Sequence, residues 1–344
     1  MLRAYNLSMT TESLSFLKVM TWTPDECRAF LEAQRWPNGP ACPHCGGTEP
    51  YKFTRKSASK NKVTSAYKCR ACKKQFTVTV GTIFEDSHIP LNKWIATILL
   101  MTASKKGISA HQIHRMMDVE YRSAWYMCHR IREAMREKHP EMFTGTVEAD
   151  VTFVGGKSMR GGPVFRERVK DEIALGIRNK DGSMKQGKNM AGKPHPRTQK
   201  APVFGMLERG GNVRTMATKI NDETAKELQP VLKANLGPGA RLITDAHPAY
   251  RAIKQYVRHD VVKHELEYVN SENPDIHTQN IEGFWSLLKR SMVGTFHHVN
   301  RGYLPLYLNE LEFRYDRRTS SDSERFASLM KQTEGRLSWY QKKA

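Results

Sequence analysis

Thr146-Val-Glu-Ala-Asp-Val-Thr-Phe-Val154 is the stretch on which the reading of the fold turns. Its β-branched and apolar side chains make it a strand. Asp150 nevertheless stands among Val147, Val151 and Val154, and burying an acid there is unfavourable without a partner. Two further acids occupy comparable places. Asp245 ends the strand-like run Ala240-Arg-Leu-Ile-Thr-Asp245, just before Ala246-His247-Pro248 breaks it. Glu282 lies in Asn280-Ile-Glu-Gly-Phe-Trp-Ser-Leu-Leu-Lys-Arg290, where apolar residues at 281, 284, 285, 287 and 288 follow helical spacing. Three carboxylates on such different elements converge only through the fold. Their chemical use is to hold divalent metal ions against a phosphodiester.

Outward from Asp150, Gly155-Gly156 ends the first strand and a glycine- and lysine-rich stretch follows over 157–200. It holds twelve basic residues against four acidic ones, and reads as a mobile insertion, a nucleic-acid clamp or a solvated loop. Pro202–Leu207 and Val213–Thr218 flank Gly210-Gly211 as a hairpin. A helix over Asp222–Leu232 has an acidic first turn and a Pro230 that can kink it. The strand ending at Asp245 comes next, then a strand over Val261–Val269, then the Glu282 helix. Three strands, helix, strand, short helix, strand, helix is similar to the ribonuclease-H-like arrangement. There an acid on the first strand, one just after the fourth and one on a late helix meet at one edge.

On the N-terminal side, Thr23-Pro-Asp-Glu26 is a capping box opening a short helix with Cys27, Phe30 and Leu31 on one face. Cys42-Pro-His-Cys45 and Cys69-Arg-Ala-Cys72 follow, 23 residues apart. Two such turns place four thiolates around one Zn2+, with His44 as a bystander and strand-like flanks at 66–68 and 75–79, as in a zinc ribbon. The intervening Lys52, Arg55, Lys56, Lys60 and Lys62 make a basic hairpin that serves solubility or contacts a DNA backbone. Residues 91–136 read as three helices: Leu91–Ser104, a short one capped by Ser109 and ending at Met117, and Tyr121–Met135. In the last, Ala124, Cys128, Ile131 and Met135 keep the core spacing, while Arg122, Tyr126, His129, Arg130 and Arg132 fill much of the remaining surface. A basic second helix after a short turn is compatible with a helix-turn-helix, and equally with any three-helix packing unit.

Composition agrees. A net charge of +20 over 344 residues calls for a polyanionic partner, with nucleic acid ahead of an anionic membrane surface. The N-terminus lacks a basic-then-apolar signal pattern, and the most apolar run, Trp94–Met101, is too short to span a bilayer. The expected setting is therefore cytoplasmic. There, paired cysteines suggest metal before disulfide.

The ribbon, "TVEADVTFVGGK" from Thr146, "ITDAHPAY", "HTQNIEGFWSLLKRSMVGTFHHV" and "YLNELEFRYDRR" together resemble the bacterial insertion-sequence transposases that join an N-terminal zinc ribbon to a DDE core. The resemblance covers about residues 20–320. The chain reads as multidomain: a helical segment over 1–38, the zinc ribbon over 39–82, a helical, helix-turn-helix-like region over 90–138, an α/β ribonuclease-H-like catalytic domain over 143–300 with its basic insertion at 157–200, and a helical tail over 301–344. The resemblance carries the catalytic residues with it. It makes Asp150, Asp245 and Glu282 the metal-holding triad, with two Mg2+ that Mn2+ can replace, and Lys289 the trailing lysine. Some members of the family carry Asn as the third residue, and Asn280 is two positions away. An anionic oxygen suits Mg2+ better than an amide, and Lys289, two helical turns on, shares the face of Glu282, so Glu282 is the expected ligand and Asn280 a helper. Glu148, on the same side of its strand as Asp150, is a weaker helper. The expected reaction is cleavage at the element's ends followed by attack of the freed 3′-hydroxyl on target DNA. The expected partners are double-stranded end and target DNA, contacted by Arg122, Arg130, Arg132, Lys289 and Arg290, and a second copy of the chain. The alternatives are a non-catalytic zinc-ribbon regulator, which leaves the triad idle, and a nuclease or resolvase that cuts without joining.

Overall fold

A computed structural model describes residues 14–57, 62–155, 200–218, 224–262 and 273–335. The chain divides into two compact units, Met1–Pro140 with Leu306–Ala344, and Glu141–Pro305.

In the first unit, α1 (Phe16–Met20) and α2 (Pro24–Arg35) precede a three-stranded antiparallel sheet of β1 (Tyr51–Ser57), β2 (Lys62–Lys68) and β3 (Gln75–Phe76). The capping box at Thr23 forms, and α2 runs twelve residues, longer than the short helix expected there. Helices α3 (Leu91–Ala103), α4 (Ala110–Met117) and α5 (Tyr121–Ala134) follow. α3 is apolar on nearly all sides, with Trp94, Ile95, Ala96, Ile98, Leu99 and Met101 buried, as suits a central helix. Cys27 and Cys128 are both core residues. Residues 306–335 group with this unit and form no separate tail. α8 (Leu304–Asp316) and α9 (Asp322–Lys331) bring Phe313, Phe326, Leu329 and Met330 into the same core, where Phe326 stacks on Phe30.

The second unit is a five-stranded mixed sheet in the order β6-β5-β4-β7-β8. β4 (Thr146–Val154), β5 (Ala201–Glu208) and β6 (Val213–Ala217) form an antiparallel meander, while β7 (Arg241–Asp245) and β8 (Arg258–Val262) run parallel to β4. β8 begins three residues earlier than the expected Val261 start, and the rest of that expected strand lies outside the described residues, as do the basic stretch at 157–199 and Lys60. Alternation along the strands divides the faces. Val147 and Ala149 of β4, with Phe204 and Met206 of β5, meet Leu228 and Leu232 of α6 (Ala225–Asn235) and Tyr250 and Ile253 of the 3-10 turn Pro248–Gln255. Glu148 and Asp150, of opposite parity, face α7 (Gln279–Ser291) on the other side.

Candidate functional site

The cysteine knuckles share one backbone device. Cys42 N–H donates to Gly47 O at 2.9 Å and Cys69 N–H to Lys74 O at 3.0 Å. The residue four positions after each leading cysteine, Gly46 or Lys73, takes a left-handed conformation with φ of 75° or 60°. The four sulfurs of Cys42, Cys45, Cys69 and Cys72 lie within 4.8 Å of one another, with edges of 3.7 Å (Cys42 to Cys72) and 3.6 Å (Cys45 to Cys69). Thiolates about 2.3 Å from a tetrahedral zinc are about 3.8 Å apart, so this set fits a structural zinc ion. The Cys72 N–H beside its sulfur holds the Cys69 thiol down to about 7. At Cys72 the Lys74 N–H pulls down, but burial and the neighbouring Cys45, Cys42 and Cys69 thiols outweigh it and push that thiol up to about 11. Trp36, Tyr67 and Phe76 pack beneath the sulfurs as an aromatic base. His44 is exposed and outside the cluster.

The acids of the second unit stand on adjacent elements. Asp150 lies mid-way along the central strand β4, Asp245 at the C-terminal end of neighbouring β7, and Glu282 in the first turn of α7. Burial raises the Asp150 carboxyl above the usual range, and the negative charges of Asp245 and Glu282 push the same way. Each is oriented by a donor. Trp285 Nε1 donates to Asp150 Oδ2 at 2.9 Å, the His247 N–H to Asp245 Oδ1 at 3.1 Å, and Thr278 Oγ1 to Glu282 Oε1 at 2.9 Å. Among the described residues only the four cysteines gather three or more ligand atoms within 4.8 Å, so the three carboxylates stand more widely spaced.

The seat of Trp285 explains a glycine. Gly205 of β5 is paired with Asp150 across the sheet, and a Cβ there would lie 2.4 Å from Trp285 Cη2 and 2.7 Å from Cζ2. The missing side chain is the space the indole occupies while reaching Asp150. Trp285 is thus a core residue and also the partner that the buried acid demands. A glycine inside the apolar run Pro202–Leu207 was the legible signal for this close approach, and it carries no weight until its neighbours are known.

Glu148 is fully buried. It accepts from Arg209 Nε at 2.8 Å, from the Asn280 backbone N–H at 2.9 Å and side-chain Nδ2 at 2.8 Å, and from the Ile281 N–H at 3.0 Å. The Asn280 amide is therefore turned to Glu148. Glu282 and Lys289 are both on the exposed side of α7, as is Arg290, and a single π-helical turn, Met292–Phe296, continues the helix with Val293 exposed. His297 and His298 are exposed.

Two of the expected DNA contacts need correction. Arg132 is 1% exposed, with Nε bonded to Glu310 Oε2 at 2.6 Å and its guanidinium 4.0 Å from the Tyr307 ring centre. Arg130 is 2% exposed, donates to Glu85 O at 2.7 Å and packs on Trp94 and Tyr126. His129 is also buried. The C-terminal helices supply part of this cover, and nothing within the α5 sequence announces it. Arg122 remains exposed on α5. Among the described residues, no helix is long and apolar enough to cross a membrane.

Residues 142–316 match the ISXO2-like transposase domain, and residues 23–75 match the transposase zinc-ribbon domain. The chain is also similar to the uncharacterized protein in transposable element ISH50 of Halobacterium salinarum, with 26% identity over 302 residues, 87% of this chain and 93% of that protein. The second match covers the cysteine knuckles, and the first spans half of the chain, including all five strands of the mixed sheet, both aspartates and Glu282. With its four-cysteine zinc ribbon and its mixed α/β unit, the chain belongs to the ISXO2-like family of insertion-sequence transposases.

Proposed function

We propose that the second unit is a ribonuclease-H-like DDE core that cuts DNA at the ends of an insertion sequence and joins the freed 3′-hydroxyl to target DNA. The observation that carries this reading is the placement of Asp150, Asp245 and Glu282. They sit on the central strand, the end of the adjacent parallel strand and the helix facing them, close enough for two to raise the third. An acid made more basic by burial and then by two neighbouring acids is a concentration of negative charge that a divalent cation relieves, so the donor set fits Mg2+ or Mn2+. Two such ions would supply the Lewis acidity that readies water, and then the 3′-hydroxyl, for in-line attack and steadies the leaving oxygen.

The chain's own groups then have distinct tasks. The three carboxylates hold the cations, and their donors Trp285, the His247 N–H and Thr278 fix which oxygens face the substrate. Lys289, on the exposed face of α7 with Glu282, offers its ammonium to the end-DNA phosphates, and Arg290 adds a second cation. The zinc ribbon and Arg122 contribute DNA contacts from the first unit. Cutting two ends in concert requires at least two copies of the chain on DNA. That Asn280 gives its amide to Glu148, while Glu282 acts on Asp150, supports Glu282 as the third acid.

The test is strand cleavage and joining on end DNA with Mg2+, measured beside DNA binding. Asp150→Asn, Asp245→Asn and Glu282→Gln should each lose chemistry by orders of magnitude while DNA binding holds. Lys289→Ala should be milder. A Glu282→Gln protein that still joins ends, beside an inactive Asn280→Ala, would move the third position to Asn280.

A further inference from the structure

We propose that Glu148 is the positioning residue of this site: its buried carboxylate registers helix α7 on strand β4 and so decides where Glu282 stands relative to Asp150. The inference rests on the reading of those acids as cation holders.

A carboxylate at 0% exposure must be matched by donors, and Glu148 is, by three N–H groups of α7 and by Arg209. The helix begins at Gln279, whose N–H goes to His277 Nδ1 at 3.4 Å. Its N-cap residue Thr278 makes no side-chain capping bond, because the hydroxyl is given to Glu282. Two of the first-turn N–H groups, from Asn280 and Ile281, instead end on a negative charge from the neighbouring strand, at the positive end of the helix dipole.

Spacing makes this a register device. Glu148 and Asp150 are two residues apart on one side of β4, about 6.8 Å along a strand. Their helix partners, Asn280 and Trp285, are five residues apart, about 7.5 Å along a helix. The strand thus grips the helix at two rungs of nearly equal pitch, and Glu282 lies between them.

Arg209 extends the grip. Besides Glu148 it bonds Asp275 Oδ1 at 2.7 Å and His277 O at 3.0 Å, in the segment that leads into α7. Arg241 of β7 bonds the other oxygen of Asp275, and also Asp260 of β8 at 2.6 Å. The approach to the helix is thereby tied to strands on both sides of Asp245.

The experiment uses the full-length, zinc-loaded chain and reads Mn2+ binding from the free-ion resonance, with Asp150→Asn as background, beside melting temperature, DNA affinity and strand joining. Glu148→Gln keeps size and loses charge, while Glu148→Asp keeps charge and falls one methylene short of the helix. Both should weaken Mn2+ binding about tenfold or more and slow joining, with DNA affinity unchanged. Asn280→Ala, which removes one of the four bonds, should shift Mn2+ affinity in the same direction and serves if the Glu148 variants do not fold. Variants that melt lower but bind Mn2+ as the parent does would overturn the inference, leaving Glu148 a stability residue only. So would a Glu148→Asp protein with parental Mn2+ affinity. A parent that binds Mn2+ through Asp150 but never joins DNA refutes the proposed reaction instead, and the comparison of Mn2+ affinities still decides the role of Glu148. A parent with no Mn2+ site refutes both.

Discussion

Replacing Gly205 by alanine puts a methyl group where the Trp285 indole already lies. The added Cβ would sit 2.4 Å from Trp285 Cη2 and 3.3 Å from Ile281 Cδ1, against about 3.5 Å for the closest comfortable carbon contact. The ring must withdraw by about 1 Å. Trp285 is 3% exposed, so it retreats into packed neighbours, Phe284 among them at 5.4 Å between ring centres. Overpacking of this kind costs about 1–3 kcal/mol. The same movement stretches the 2.9 Å bond from Nε1 to Asp150 beyond hydrogen-bonding range, adding about 1–3 kcal/mol for a buried group left short of a donor. A total of about 2–6 kcal/mol lowers the melting temperature of a unit this size by roughly 4–24 °C. Calorimetry measures the loss, and metal-dependent strand cleavage should fall with it. Phenylalanine lacks both of the indole carbons that collide, so in a Trp285→Phe background the glycine substitution should cost markedly less. A Gly205→Ala protein that melts within a degree of the parent, or a double variant in which the two costs simply add, refutes the assignment of Gly205 as the seat of the indole.

Protein purified without added zinc should contain about one equivalent, and Cys69→Ser should lose it together with the fold of the ribbon; full zinc in that variant refutes the four-cysteine site. Burial alone would raise the Glu310 carboxyl, but Arg132 and Arg314 outweigh it and hold the group below its ordinary value of 4.5. Its contribution to stability is then fully present above that value and lost as pH falls through the lower folded one. Glu310→Gln, which leaves two buried guanidiniums without their anion, should cost about 3–5 kcal/mol at neutral pH and flatten the acid limb of the melting profile; an unchanged limb would show that the anion is not what holds them.

Local pattern was enough for the elements. Composition and the two cysteine knuckles specified a nucleic-acid protein with a metal-held ribbon, because four thiolates at that spacing have few other uses. Strand alternation around Asp150, the break after Asp245 and the 3.6-residue period around Glu282 marked the three acids and the order of elements, since each signal is carried by neighbours in the chain. The sheet order β6-β5-β4-β7-β8, which sets the two aspartates on neighbouring strands, is written nowhere locally. Neither is the fate of the α5 arginines. Arg132 looked like a surface cation because its anion, Glu310, is 178 positions away in the chain, and only packing of the C-terminal helices against α5 buries both. The same holds for the grip on α7. Glu148 could be seen to share a side with Asp150, but its donors Arg209 and Asn280 are 61 and 132 positions distant. Periodicity reports which face of an element is apolar. What lies across that face is set by contacts between segments far apart in the chain, and only the tertiary structure decides it.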